Sequence, residues 1–166
     1  MNNVLKVSAF LTWFNMIVWG LFTGIGLLET LFTGNFFFLI VTFIMSVFVL
    51  HSYAALQLHK SIKNPAVPLS SQTPIGIRFI GFVTLFFGIG FFTQGFAILQ
   101  NLPELVKLAQ PQLSQLPPEL KDMDLGKLFR GIGIFSLVSG ASIAVNVFLC
   151  FRLLRWYLFL RENDIQ

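Results

Sequence analysis

The chain has 166 residues, of which 55% are hydrophobic and 11% are charged, and its mean hydropathy is +0.79. Soluble domains carry about 25% charged residues, so this composition excludes a soluble globular domain, whose surface needs more polar side chains. The net charge is +4, but the basic residues flank apolar runs instead of forming one basic patch, which argues against a nucleic-acid partner.

Four apolar runs divide the chain, at about residues 7–28, 36–58, 75–99 and 131–151. Each is close to the ~20 residues that an α-helix needs to cross the hydrocarbon core of a bilayer. The runs predict an all-α fold, an integral membrane four-helix bundle that forms a single transmembrane domain over residues 1–166. Because almost no chain is left for a soluble domain, we expect no enzyme activity and no cofactor.

The charged residues predict the orientation of this bundle. Seven basic residues belong to the chain ends and the second loop, which share one side of a four-span chain: Lys6, Lys60, Lys63, Arg78, Arg152, Arg155 and Arg161. On the opposite side, acidic residues offset the basic ones. The positive-inside rule therefore places both termini in the cytoplasm. Short loops without organelle-targeting features suit a bacterial cytoplasmic (inner) membrane. The first run has no cleavage site, so we expect an uncleaved span.

The first span combines small residues with one acidic residue. Gly20-x-x-x-Gly24 predicts close helix packing, because lipid provides no hydrophobic drive for helix association and small residues let two backbones approach. Glu29 lies at the outer end of the run, where we expect an ion pair with Arg130 or Lys127. A coupling carboxylate for protons or cations is the alternative. The dipeptide Gly34-Asn35 then predicts a tight turn into the second span.

The segment LFTGIGLL from Leu21 recurs as LFFGIGFF from Leu85 and as LFRGIGIF from Leu128. Residues 21–32 align with 85–96 without a gap, and spans two and four align more weakly, which suggests a parallel repeat of two helical hairpins. Chance similarity is the alternative, because Phe, Leu, Ile and Gly are abundant. Glycines two residues apart point about 200° apart on a helix. Each pair is therefore predicted to open two sides of its helix to close neighbours.

Small residues also mark spans three and four as candidates for helix packing. The third span repeats glycine every seven residues, at Gly81, Gly88 and Gly95, and the fourth repeats small residues every four, at Ser136, Gly140 and Ala144. A seven-residue period predicts one nearly straight packing seam, and a four-residue period predicts close backbone approach. A gated hinge at Gly88 and Gly90 is the sharper alternative.

Residues 101–127 form a long outer connection between spans three and four. Pro103 and Pro118 suit the first turns of short helices, whereas Pro111 and Pro117 interrupt the helical pattern. The spacing of Leu and Val predicts two short amphipathic helices that lie on the outer membrane surface or cap the bundle. After the fourth span, residues 152–163 are predicted to extend its helix into the cytoplasm.

Four polar residues at similar depth are the strongest candidates for a site. Asn15, His51, Thr84 and Asn146 lie roughly six to nine residues from the cytoplasmic charges of their spans, which is about 9–14 Å of helix. Polar groups at such depth face the bundle interior and can line a cavity. Interhelical hydrogen bonding, a solute or ion pathway, and metal binding are the three interpretations.

Catalytic and metal chemistry has little support in the sequence. About 12 Å of helix separates His51 from His59, so the two cannot bind one metal ion or one haem iron together. His59, beside Lys60, is interpreted as interfacial. Neither histidine has an obvious acidic orienter for a serine nucleophile. Cys150 is the single cysteine, so no intrachain disulfide forms. We predict no catalytic, cofactor-binding or metal site.

Two functions stay open, and no family resemblance decides between them. The first is a non-catalytic multi-pass membrane protein, an accessory or scaffold subunit that packs with itself or with a membrane protein partner in the lipid bilayer. The second is a small oligomeric transporter or channel whose polar path is lined by Asn15, His51, Thr84 and Asn146. Burial of these four side chains in a dry, fully hydrogen-bonded core would count against transport.

Overall fold

The computed structural model describes residues 2–64, 66–113 and 123–163. Within these ranges the chain has no strands, and it contains five helices: α1 (Asn2–Thr33), α2 (Phe36–Lys63), α3 (Thr73–Gln100), α4 (Leu102–Leu113) and α5 (Leu125–Asn163). The helices α1, α2, α3 and α5 are long and apolar enough to cross a membrane. For the described residues, the prediction of an all-α chain with four long apolar helices is therefore confirmed.

The turn between α1 and α2 uses the two residues that the sequence indicated. Gly34 has a φ of +62°, a backbone conformation that glycine adopts without steric cost, and its N–H donates to the Thr30 carbonyl at 2.9 Å. Asn35 caps α2, since its side-chain oxygen accepts from the Phe37 N–H at 2.9 Å. The predicted tight turn is confirmed, because glycine ends one helix and asparagine begins the next.

The described chain forms two compact units. The first contains residues up to Phe86 together with those from Ser142 onward, and the second contains residues 87–141. An apolar cluster in the first unit joins the end of α2 and the last third of α5 to the start of α3 and to the linker between α2 and α3: Leu58, Leu69, Ile77, Leu153 and Leu154. Leu69 belongs to this linker, and its N–H donates to the Tyr157 hydroxyl at 3.1 Å. The linker is thus packed, although it is irregular.

Helix α4 differs from the sequence prediction at Pro111 and at Leu108. It continues through Pro111 and ends at Leu113, so Pro111 lies in the last turn and does not interrupt the helix. A proline removes one backbone hydrogen bond, and close to a helix end that loss breaks little. Leu105 and Val106 lie on the half-buried side, as the spacing of Leu and Val predicted, but Leu108, which was predicted on the same side, is 72% exposed. The half-buried residues have helical spacing: Leu102, Leu105, Val106 and Ala109. The second predicted amphipathic helix falls largely on residues 114–122, outside the described residues.

Helix α5 begins at Leu125, earlier than the apolar run that predicted it. The reason is a cap, because the Asp124 carboxylate accepts from the Lys127 N–H at 3.0 Å. This hydrogen bond lowers the pKa of Asp124 below its ordinary value of 3.8. The helix then runs without interruption to Asn163, so residues 152–163 are the end of the same helix.

Candidate functional site

The four polar residues that the sequence selected line one internal space of the first unit. Asn15 comes from α1, His51 from α2, Thr84 from α3 and Asn146 from α5, and each is at most 3% exposed. Phe48, Ser52 and Ile143 complete the walls, and the space does not admit a water molecule. The four side chains therefore converge, but in a closed core and not along an open path.

The two asparagines connect α1 to α5 by hydrogen bonds. The Asn15 Oδ1 accepts from the Ser142 hydroxyl at 3.1 Å, and the Asn146 Oδ1 accepts from the Thr12 hydroxyl at 3.0 Å. Such contacts between helices contribute about 0.6–2 kcal/mol each in a membrane. They also fix the register of α1 against α5, since each amide oxygen meets a hydroxyl of the other helix.

His51 and Thr84 leave the hydrogen bonding of the four buried polar residues incomplete. Neither the His51 Nε2 nor the Thr84 hydroxyl has a hydrogen-bond partner among the described residues, although both are buried. His51 reaches the backbone of α3, because a Cβ atom at Gly81 would lie 3.2 Å from the His51 Nε2. A buried polar atom without a partner costs about 1–3 kcal/mol. These two atoms are therefore the places where a further hydrogen-bonding group would gain most.

A second polar set, which the sequence interpretation missed, adjoins this cluster. His59 is 3% exposed and its Nε2 lies 3.0 Å from the Ser8 hydroxyl, so its side chain is enclosed within the first unit. The Ser8 hydroxyl also lies 3.7 Å from the Cys150 thiol, which donates to the Asn146 Oδ1 at 3.8 Å. A chain of polar contacts thus runs from His59 through Ser8 and Cys150 to Asn146.

The sequence does contain a signal for this polar set. Ser8, Thr12 and Asn15 are spaced by four and three residues, which places them on one face of α1. Asn146 and Cys150 are spaced by four on α5. Polar helical faces, instead of equal depth, therefore point to Ser8, Thr12 and Cys150, whereas they do not point to His59.

The nucleophilic side chains of this polar set are enclosed within the first unit. Ser8 and Cys150 are fully buried, and the His59 Nδ1 has no hydrogen-bond partner among the described residues. A general base needs a group that orients it and a substrate within reach. Among all residues that the structure describes, no three His, Cys, Asp or Glu side chains come close enough to hold a metal ion.

The glycines of α3 and α5 bring these two helices into backbone contact within the second unit. A Cβ atom at Gly95 would lie 2.7 Å from the Gly133 carbonyl and from the Leu137 nitrogen. Likewise, a Cβ atom at Gly140 would lie 2.6 Å from the Gly88 carbonyl. The same added Cβ atom at Gly95 would lie 3.0 Å from the Ser136 Cβ. No side chain larger than hydrogen fits at Gly95 or Gly140 without displacing backbone.

In the first unit the other candidate packing residues have different surroundings. A Cβ atom at Gly81 would lie 2.7 Å from the Phe151 ring, whereas one at Gly20 or Gly24 would meet no described atom within 4 Å. Gly26, the second glycine of the first Gly-Ile-Gly segment, contacts Thr42 of α2. Ala144 is half-buried. Within the described chain, Gly20 and Gly24 therefore face open space and do not pack against another helix.

The outer charged residues lie at the surface. Glu29 and Arg130 are both exposed and belong to different units, so their ion pair stays a prediction. Lys127, the other predicted partner of Glu29, instead forms an ion pair with Asp124, with 3.3 Å between its Nζ and the Oδ2. An exposed pair of this kind contributes about 0–1 kcal/mol.

The chain matches no protein-family model, no curated protein and no solved structure. Its class is therefore defined by its own fold, an all-α chain with four helices that are compatible with spanning a membrane.

Proposed function

We propose that this chain is a non-catalytic multi-pass protein of the bacterial cytoplasmic membrane, with both termini in the cytoplasm. It acts as an accessory or scaffold subunit by associating through α1 with a second copy of itself or with another membrane protein. The observation that carries the proposal is the open space at Gly20 and Gly24. These residues form a small-xxx-small motif that no helix of the described chain occupies.

The position of the motif on α1 supports a contact on the side of the helix that points away from the first unit. Gly20 and Gly24 lie about 110° and 150° around the helix from the polar face of Ser8, Thr12 and Asn15, which points into the first unit. In the most apolar 18-residue stretch of α1, 6% of residues are buried, compared with 22% in α2, 22% in α3 and 39% in α5. This helix therefore has the most surface left for a neighbour.

The side chains around the motif suit a helical partner in lipid. Ile17 and Leu21 are 58% and 64% exposed, and their spacing places them beside Gly20 and Gly24. Small residues let a second helix approach, and the larger side chains on either side then pack against it. A second copy of α1 presents the same groove at Gly20 and Gly24 and the same flanking side chains of Ile17 and Leu21, so the contact between two copies can be self-complementary.

Energy transfer between differently labelled copies in liposomes tests this proposal. Gly20→Leu/Gly24→Leu fills the groove without a clash inside the chain, and we expect it to reduce the transfer of the wild type to the level of random encounters. Gly90→Leu/Gly131→Leu is the matched control, because both glycines are exposed helix positions with open space that do not form a four-residue motif. This control should retain the transfer.

A partner of different sequence would leave the energy transfer at the random level in every variant. Co-purification in mild detergent, followed by mass spectrometry, then decides. A membrane protein that accompanies the wild type and the control, but not Gly20→Leu/Gly24→Leu, supports the proposal. If neither self-association nor a partner depends on this groove, the proposal is wrong.

Transport is the second candidate, and one observation favours it. The His51 Nε2 and the Thr84 hydroxyl are buried without partners, as in a site that binds a solute or a hydrated ion in another conformation. The closed space around them requires that conformation to differ from the one described. Flux through proteoliposomes compares the wild type with His51→Ala and Asn146→Leu. Equal flux in all three would remove this cluster from any transport path.

A further inference from the structure

Two arginines and an apolar groove form a second site in the first unit, apart from the buried polar cluster. A cavity of about 460 Å³ is lined by Arg78 and Phe82 of α3 and by Phe151, Leu154 and Arg155 of α5. We propose that it binds an anionic phospholipid, with the phosphate between the two guanidinium groups and an acyl chain along the aromatic walls. The inference rests on the proposed membrane location.

The order of residues along both helices matches the order of groups along a lipid. On α3, Phe82 follows the cation Arg78 by four residues, and on α5, Phe151 precedes the cation Arg155 by four. Four residues of an α-helix, slightly more than one turn, rise about 6 Å along its axis. On each helix an aromatic side chain therefore lies one turn from the cation, toward the apolar middle of the span. A headgroup and an acyl chain present charge and hydrocarbon in this sequence.

The apolar walls of the groove are well formed. Leu154 is 2% exposed and belongs to the apolar cluster of the first unit, and Phe151 packs against that cluster. Gly81 admits the Phe151 ring, because a Cβ atom there would lie 2.7 Å from it. Phe82, on the other wall, is 69% exposed. The groove thus has a fixed floor and one outer wall that a ligand would cover.

The charges at the groove favour a phosphate. No acidic residue lines the cavity. Among the described residues, neither arginine forms a salt bridge, whereas Lys127 forms one with Asp124. A guanidinium group presents a planar fork of donors that matches a phosphate, and two of them reach several oxygens at once. A zwitterionic lipid would bring its own cation toward these two, which disfavours it.

The same end of the unit is basic beyond the groove. Val4 and Leu5 of α1, which precede Lys6, pack against the apolar cluster that also holds the end of α2, the start of α3 and part of α5. The lysines at the end of α2, Lys60 and Lys63, therefore lie at the same end as the groove. Basic pockets between spans on the cytoplasmic side bind anionic headgroups in membrane proteins.

Native mass spectrometry of the full chain, titrated with lipid in mild detergent, tests the site. The probes are phosphatidylglycerol and phosphatidylcholine with identical acyl chains. The variant is Arg78→Gln/Arg155→Gln. The matched control is Lys60→Gln/Arg152→Gln, which removes the same charge from exposed residues that do not line the cavity. We expect the variant to bind phosphatidylglycerol about 30-fold more weakly, because each basic residue near an anionic headgroup contributes about a fivefold factor. The control should change binding by less than about threefold.

Three results would overturn the proposal. Equal losses in the variant and the control would indicate diffuse attraction to the basic end, and equal binding of both lipids would exclude recognition of the charge. Displacement of phosphatidylglycerol by inorganic phosphate at equal concentration would show that the groove takes no acyl chain. Gly20→Leu/Gly24→Leu should retain lipid binding, so a failure of the association through α1 and a failure of this site are distinguishable.

Discussion

Replacing Gly140 by alanine tests how closely α3 and α5 pack in the second unit. The added Cβ atom would lie 2.6 Å from the Gly88 carbonyl and from the Phe92 nitrogen, and 2.9 Å from the Phe92 Cα. All three are backbone atoms, so no side-chain rotation relieves the contact and α3 has to move. Overpacking of this kind costs about 1–3 kcal/mol. Alanine also favours a helix over glycine by about 0.8–1 kcal/mol, and this gain masks part of the cost.

Gly131→Ala separates the two effects. Gly131 lies on the same helix in the same unit, it is exposed, and a Cβ atom there would meet no described atom within 4 Å. This variant receives the helical gain without the contact, so we expect it to be more stable than the wild type. The difference between the two variants should then be about 1–3 kcal/mol, the overpacking term alone. The assay is unfolding by increasing dodecyl sulfate in mixed micelles, followed by circular dichroism. Equal free energies of unfolding for the two variants would refute the close packing of α3 on α5.

Three further predictions concern the polar core and the start of α5. Thr12→Val removes the hydroxyl donor to the buried Asn146 Oδ1 and should lower the free energy of unfolding by about 0.6–2 kcal/mol. Thr93→Val is the control, since the exposed Thr93 hydroxyl donates to the Gly90 carbonyl of its own helix, and it should change the free energy of unfolding by less than about 0.5 kcal/mol in the same titration. The lowered pKa of Asp124 means that its cap stabilises α5 above pH 3.8 and that this contribution is lost as the pH falls through the folded-state pKa. The amides of residues 125–128 should therefore lose protection from hydrogen exchange in acid in the wild type. Asp124→Asn, measured at each pH, is the control, because it keeps a capping oxygen at every pH and should lose no protection. Cys150 is fully buried, so a maleimide should label it in dodecyl sulfate but not in mild detergent. The control is a cysteine introduced by Arg161→Cys at the exposed end of α5, which should react in mild detergent. Rapid labelling of Cys150 in the folded protein would reveal water access to the polar contact chain.

The sequence was sufficient for the helices and for the turn between the first two, because both depend on local chemistry. Apolar runs of about 20 residues specify spans whatever their neighbours are, and Gly34-Asn35 specifies its turn through backbone conformation and capping. The start of α5 was missed for a related reason, since hydropathy marks the apolar part of a helix and not its cap at Asp124.

The polar core could be predicted only in part. Depth along each helix selected four of the seven residues that line the internal space, since depth follows from the charges at the helix ends. Which face of α2 turns inward close to its charged end does not follow from depth, so His59 was assigned to the interface beside Lys60. Its contact with Ser8 depends on the rotation of two helices, which long-range packing decides.

The three Gly-Ile-Gly segments show the same limit and bear on the proposed association. Each pair was predicted to meet neighbours on two sides, but in the described chain one glycine of each pair is packed and the other faces open space. Gly26 contacts Thr42 while Gly24 is open, the Gly88 backbone lies against Gly140 while Gly90 is open, and Gly133 contacts Leu99 while Gly131 is open. In the aligned segments of α1 and α3, Gly24 corresponds to Gly88, so the packed glycine is the second of the pair in α1 and the first in α3. This reversal argues against equivalent packing of the two segments, whatever their origin. It also leaves an open glycine on α1 four residues from another, Gly20, and this spacing is the one that favours a further helix in lipid.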